Sequence, residues 1–157
     1  MKHTILKTLD DLFITYENFE HEAVFTCDDA KWVIVPGKRV KSLLIRNKNK
    51  TKFYMIVLWD EKMLDANALR KKLWEAKISF TDSDTLYSLI WVRPGHVSPF
   101  ALIKNTEKNV KVIFDSCLKD IVVWFHPWQN DNTTVLNMSW VEKYLDFLGF
   151  EYEYLEV

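Results

Sequence analysis

Residues 40–59 constrain the fold more than any other stretch of the chain. VKSLLIR (40–46) and KFYMIVLW (52–59) are apolar and rich in β-branched and aromatic side chains, and NKNKT (47–51) separates them. Two runs of that kind joined by a short polar turn predict a β-hairpin. Similar runs predict strands at 100–103, in VKVIFD (110–115), IVVWF (121–125) and TTVLNM (133–138), and in the closing FEYEYLEV, whose faces alternate.

Helices are predicted between these strands. Residues 4–14 have an amphipathic pattern, and Thr26-Cys27-Asp28-Asp29 reads as a capping box opening a short helix toward Trp32. Asp65 stands as N-cap to ANALRKKLWEA, in which Leu69, Leu73 and Ala76 recur at helical spacing. A further helix starts within Thr81–Asp84 and runs through Leu86, Leu89 and Ile90. Ser139 with Glu142 reads as another capping box, for WVEKYLDFL, which Gly149 ends. The sum is an α+β chain: a mixed, largely antiparallel β-sheet carrying several helices. Its alternation of strand and helix is too irregular for a doubly wound fold.

A chain of 157 residues reads as one domain, 1–157, large enough to bury a core. No apolar run is long enough to span a bilayer, and MKHTILKTLDDLF lacks the pattern of a secretory leader, so a cytoplasmic location is expected. Cys27 and Cys117 stand far apart without a CxxC spacing and are expected to be buried free thiols. The net charge of −1 does not announce a nucleic-acid binder. Its distribution says more: residues 31–59 carry Lys31, Lys38, Arg39, Lys41, Arg46, Lys48, Lys50 and Lys52 and no acid, whereas residues 142–157 are mostly acidic. Such a basic segment suits a phosphate chain, or it is a solvated hairpin tip.

The chemistry available is narrow. No GxGxxG, P-loop, HExxH or GxSxG is present, and no two of His3, His21, His96 and His126 have metal-ligand spacing, so neither a cofactor nor a metal is expected. Only three glycines occur, so Gly37, Gly95 and Gly149 are each expected to do a specific backbone job. Two loops stand out. Gly95-His96-Val97-Ser98-Pro99, pinned by Pro94 and Pro99, either presents backbone N–H groups to an oxyanion, with the Ser98 hydroxyl beside them, or is a tight turn. WFHPWQNDNTTVL (124–136) puts His126 and Asn130 before a threonine-rich strand, as one wall of a site or as a polar turn.

Four stretches in order carry a resemblance. EHEAVFT (20–26), VKSLLIRNKNK (40–50), ISFTDSDTLYSLIWVRPGHVSPFALI (78–103) and FHPWQNDNTTVL (125–136) are similar to the corresponding motifs of the YbaK/ProX-type prolyl-tRNA editing domains. The resemblance covers nearly the whole chain and is nearest to the free-standing deacylases of alanyl-tRNA(Pro). It implies a barrel-like mixed sheet around a pocket for the aminoacylated CCA end of a tRNA, with no cofactor. Aminoacylated tRNA, through its CCA end and acceptor stem, is the implied partner, and prolyl-tRNA synthetase a further one.

The resemblance also distributes roles. Lys41 falls on the family's characteristic lysine and would grip the RNA end. Gly95 and Ser98 would orient the ester carbonyl, and His126 would position substrate or water. Val24, Phe25, Thr26, Val40, Ser42, His96, Val97, Pro99 and Asn130 would line the pocket. Lys38, Arg39, Arg46, Lys48, Lys50 and Lys52 would meet the tRNA. The chain departs from the family pattern at Val40 and Ser42, which flank Lys41, at Trp91 where glycine is usual, and at Trp128. Ser42 alters a pocket contact, which bears on amino-acid specificity. Two alternatives stand beside the alanyl reading: hydrolysis of a tRNA carrying cysteine, serine or threonine, and a non-catalytic module that senses aminoacyl-tRNA.

Overall fold

The computed structural model describes residues 1–24 and 32–157. Its elements are α1 (Lys2–Asp11), β1 (Glu17–Glu20), β2 (Lys38–Asn47), β3 (Phe53–Trp59), α2 (Ala66–Lys72), β4 (Ile78–Phe80), α3 (Ser83–Ile90), β5 (Val110–Asp115), β6 (Val122–Phe125), β7 (Asn132–Asn137), α4 (Met138–Leu148) and β8 (Tyr152–Leu155), with 3-10 turns at Pro99–Lys104 and Ser116–Leu118. The predicted hairpin is present: β2 and β3 pair antiparallel from Val40↔Trp59 to Arg46↔Phe53. Its tip is tied by Asn47, whose Oδ1 accepts from the N–H groups of Thr51 (2.9 Å) and Lys52 (3.1 Å).

The strands form one mixed sheet in the order β1-β7-β6-β2-β3-β5-β8, with β4 also on β2. The pairs β1–β7, β2–β3, β2–β4 and β6–β7 are antiparallel, and β2–β6, β3–β5 and β5–β8 are parallel. The sheet is not closed, so the expected barrel-like shape is corrected to an open sheet: β1 and β8 remain its two ends. Strand β2 joins two ladders. One edge pairs with β3 along most of its length. The other meets β6 only at Lys38↔Val123 and Arg39↔Trp124, then β4 at Ile45–Asn47.

That junction depends on Gly37. Its φ is +89°, and a Cβ there would lie 2.9 Å from both Cγ1 and the carbonyl oxygen of Val122. Only a residue without a Cβ lets β2 start this close to β6.

The core is built as the patterns require. Ile5 and Leu9 of α1, one turn apart, are fully buried, as are Leu69 of α2 and Ile90 of α3. Ile5, Leu9 and Ile90 share one cluster with Met55, Val57, Val112 and Phe114, and Leu69 a second with Ile45, Ile56, Leu58 and Ile113. Removing each such side chain from water contributes about 1.5–3 kcal/mol.

Several expectations are corrected. Residues 100–103 are not a strand. Pro99 opens a 3-10 turn through Lys104, in which Ala101 N–H bonds to Ser98 O at 3.0 Å and the buried Tyr144 hydroxyl of α4 donates to Phe100 O at 3.0 Å. A short apolar run does not distinguish the two outcomes. The last helix is capped by Asn137, whose side chain accepts from Ser139 N–H, and not by Ser139 itself. Helix α2 stops at Lys72, short of the predicted Ala76. Strand β8 is half-buried throughout, without the alternation its sequence suggested. Cys117 is exposed. The capping box at Thr26–Asp29, with Cys27, Phe25 and Thr26, lies outside the described residues.

Candidate functional site

The gap in the pairing of β2 marks the candidate site. Among the described residues, no strand pairs with β2 between Arg39 and Ile45 on the β6/β4 edge. On that edge Leu44 O accepts from Thr81 N–H at 3.0 Å. Peptide groups alternate along a strand, so the N–H and C=O of Ser42 face the same opening. The Ser42 hydroxyl is buried with no hydrogen-bond partner among the described residues.

Lys41 and His126 stand at the rim of this gap for one reason. Arg39 and Trp124 are the last partners of the parallel β2–β6 ladder, and Lys41 and His126 each follow by two residues. They therefore hold equivalent register positions where the strands part. Lys41 Nζ donates to Asp60 O at 2.8 Å, which fixes the ammonium and leaves it two further donors.

His126 has a defined tautomer. Its Nδ1–H donates to Asn132 O at 2.8 Å, so in the neutral ring Nε2 carries the free lone pair. Burial pushes its pKa below the ordinary 6.5. The Asn132 carbonyl opposes that shift, while His21 and His96 add to it and Asp131 opposes it. The His21 ring lies 5.8 Å from the His126 ring and that of Trp124 5.9 Å.

His21 is a neighbour that the sequence reading passed over. Its Nδ1–H donates to Glu22 O at 2.7 Å, and its Nε2 accepts from the buried Thr133 hydroxyl at 2.8 Å. The signal was its place at the head of EHEAVFT. Asn130, expected on the pocket wall, clamps a chain crossing. Its Nδ2 donates to Val24 O at 2.8 Å, and Val24 N–H returns to Asn130 O at 2.9 Å. Asn132, buried with neither side-chain atom partnered among the described residues, is the amide here with free capacity.

The loop between α3 and the 3-10 turn carries the remaining candidates. His96 N–H bonds to Arg93 O, but among the described residues the N–H groups of Gly95, Val97 and Ser98 make no backbone bond. Gly95 has φ +87° with open space where a Cβ would stand. The Ser98 hydroxyl is 2% exposed and unpartnered, and Pro99 is buried. Free donors at the head of a pinned turn are what stabilisation of an oxyanion requires.

The basic residues sort themselves. Arg39 is engaged with Asp60, and Arg46 with Asp82 at 2.7 Å and Thr85. Lys38 Nζ lies 4.0 Å from the centroid of the Trp59 ring. Lys48 and Lys50 are exposed at the hairpin tip, and Lys52 reaches Glu75 at 3.4 Å. A groove of about 740 Å³ opens beside that tip, lined by Lys52, Tyr54, Lys72, Trp74, Lys108 and Lys111 among others. It lies along the start of β3, whereas Lys41 pairs with Leu58 near its end. Five residues of strand, roughly 17 Å, separate the two.

The candidate site thus joins an open mixed sheet with helices on it, a split strand edge, a register-matched Lys and His, and a loop whose N–H groups at Gly95, Val97 and Ser98 make no backbone bond among the described residues. The sequence model of the aminoacyl-tRNA editing domain matches residues 21–144, and the chain belongs to that family. It is 28% identical to the prolyl-tRNA editing protein ProX of Acetoanaerobium sticklandii over 99% of this chain and 97% of that protein. It is 26% identical to the prolyl-tRNA synthetase associated domain-containing protein 1 of Bos taurus, over 96% and 88% of the two chains. In fold it resembles a protein proposed as a trans-editing enzyme for prolyl tRNA synthetase, with TM-score 0.74, 16% identity, and coverage of 99% and 96%.

Proposed function

We propose that this protein is a free-standing deacylase that hydrolyses the ester of mischarged tRNA(Pro), with alanyl-tRNA(Pro) as its substrate. The observation that carries the reading is the matched register of Lys41 and His126 where β2 and β6 part, to which the N–H groups of Gly95, Val97 and Ser98, without a backbone bond among the described residues, add donors. Likeness to the ProX protein over nearly both full lengths supports the same class of substrate.

The chemistry follows from the atoms. The loop N–H groups hold the ester carbonyl and take up the negative charge as water adds to it. Lys41, anchored on Asp60 O, presents its remaining donors to the phosphate or ribose of the terminal nucleotide. His126 Nε2, bare because Nδ1–H is bound to Asn132 O, accepts from the O–H group that orients the attack. The intermediate then collapses, the bond to the ribose oxygen breaks, and that oxygen leaves with a proton. Alanine and intact tRNA are the products.

Editing of this kind answers a physical limit. A synthetase site shaped for proline rejects a smaller amino acid by only about 1–3 kcal/mol per missing methylene. A second site too small for proline completes the discrimination. Val40 and Ser42 border this site, and Val24 is held to the Asn130 segment beside it.

The test is a panel of tRNAs charged with alanine, proline, cysteine, serine and threonine. Alanyl-tRNA(Pro) should be hydrolysed and prolyl-tRNA(Pro) left intact, and Lys41→Ala should abolish turnover in a protein that still folds. Preference for another amino acid moves the substrate assignment. Binding without hydrolysis of any member overturns the enzymatic reading.

A further inference from the structure

Directly before the Gly95–Ser98 loop, α3 ends in an aromatic and cationic surface that the deacylase chemistry does not use. Trp91, at the C-cap of α3, has φ +62° and ψ +24°, a left-handed conformation that bulky residues disfavour. It is nonetheless 52% exposed. Tyr87, one helical turn earlier and so on the same face, is 48% exposed. Each ring carries a cation: Lys104 Nζ lies 4.3 Å from the Trp91 centroid, and the Arg93 guanidinium carbon 5.0 Å from that of Tyr87. Among the described residues neither cation has a carboxylate partner. Asp82 and Asp84 stand at the other end of the helix, about 12 Å from Trp91 along its axis, and Arg93 Nη1 reaches back toward that end to Ser83 Oγ at 3.5 Å.

Phe13 and Trp74 are also exposed in left-handed conformations. Trp91 differs in joining a second exposed ring and two cations that have no carboxylate partner among the described residues, directly before the loop that supplies the candidate oxyanion donors.

We propose that Trp91 and Tyr87 form a base-stacking platform for the unpaired nucleotides just upstream of the RNA 3′ end, with Arg93 and Lys104 meeting the adjoining phosphates. This rests on the deacylase reading for its choice of RNA. The surface chemistry fits single-stranded nucleic acid: flat π faces accept any base, and neighbouring cations neutralise the backbone. The position also fits, because Trp91 and Arg93 immediately precede the loop whose Gly95, Val97 and Ser98 N–H groups would hold the terminal ester.

The probe is an uncharged RNA hairpin with an unpaired 3′ CCA end, compared with the same hairpin whose 3′ end is paired to a complementary strand. Trp91→Gly places at this position the residue that its conformation favours, so the fold is retained, which its melting temperature checks. It should weaken binding of the unpaired form by about 5- to 150-fold, the range for loss of one stacked base. Trp91→Phe should keep most of the affinity, Tyr87→Ala should weaken it, and the paired form should not discriminate between wild type and Trp91→Gly. Equal affinity of wild type and Trp91→Gly for the unpaired form overturns the platform, as does an equal loss on both RNAs. Because the RNA is uncharged, the outcome is read whether or not the protein hydrolyses any ester.

Discussion

Gly37→Ala is the substitution whose effect follows most directly from the geometry. Two costs add. An alanine must hold φ near +89°, which for an L residue costs roughly 1–2 kcal/mol. Its Cβ must also enter space 2.9 Å from Val122 Cγ1 and from Val122 O. The side-chain atom can turn away, but the carbonyl belongs to the β2–β6 ladder and cannot, so overpacking adds roughly 1–3 kcal/mol. The sum, about 2–5 kcal/mol, is a large part of the roughly 5–15 kcal/mol by which a domain is stable. At about 2–4 °C per kcal/mol, the melting temperature should fall by roughly 4–20 °C. Urea titration should show a lower midpoint at unchanged slope. Adding Val122→Ala should recover only the part due to Cγ1. The same strain spreads the pair Arg39↔Trp124 and so shifts Lys41 against His126, making turnover fall further than the loss of folded protein explains. A Gly37→Ala protein within 0.5 kcal/mol of wild type would refute the close-approach argument.

Two other outcomes are expected. Since His126 is held below 6.5 in the folded protein, the unfolded chain binds its proton first as the pH falls. Its contribution to stability is therefore present above about pH 6.5 and is lost as the pH drops below it, levelling off under the folded value. Urea midpoints between pH 8 and pH 5 should show the slope, and His126→Asn should reduce it. Neutralising Lys48 and Lys50 to glutamine should make the slope of log K against log salt for tRNA shallower by about 2, measured by filter binding. An unchanged slope assigns the hairpin tip to solvent.

What the sequence revealed depended on how local the determining physics was. The β2–β3 hairpin was legible because its strands, turn and register are contiguous. So were the helix stop at Gly149 and the cap at Asp65, each a matter of one residue and its own turn. The 3-10 turn at Pro99–Lys104 was misread because FALI is apolar in either conformation, and what decides is Tyr144 reaching Phe100 O from 44 residues away. Strands β1 and β4, four and three residues long, lack a periodic signal and exist through β7 and β2. In the site, the motifs carrying Lys41, Gly95, Ser98 and His126 were visible as residue types. The register that aligns Lys41 with His126 was not, because it follows from a two-residue parallel pairing across more than 80 residues of chain. The duty of Asn130 on Val24 was hidden for the same reason.

The split edge of β2 has an evolutionary consequence. Where Ser42 faces the gap, the polar groups on offer include its own peptide N–H and C=O, and no exchange of side chain short of proline removes them. On the deacylase reading proposed above, hold on the substrate end would thus persist while Val40, Ser42 and the residues around them vary. Selectivity for one amino acid is free to drift along a lineage without passing through a form that has lost its hold on the substrate, and the replacements flanking Lys41 in this chain fall where such drift is cheapest.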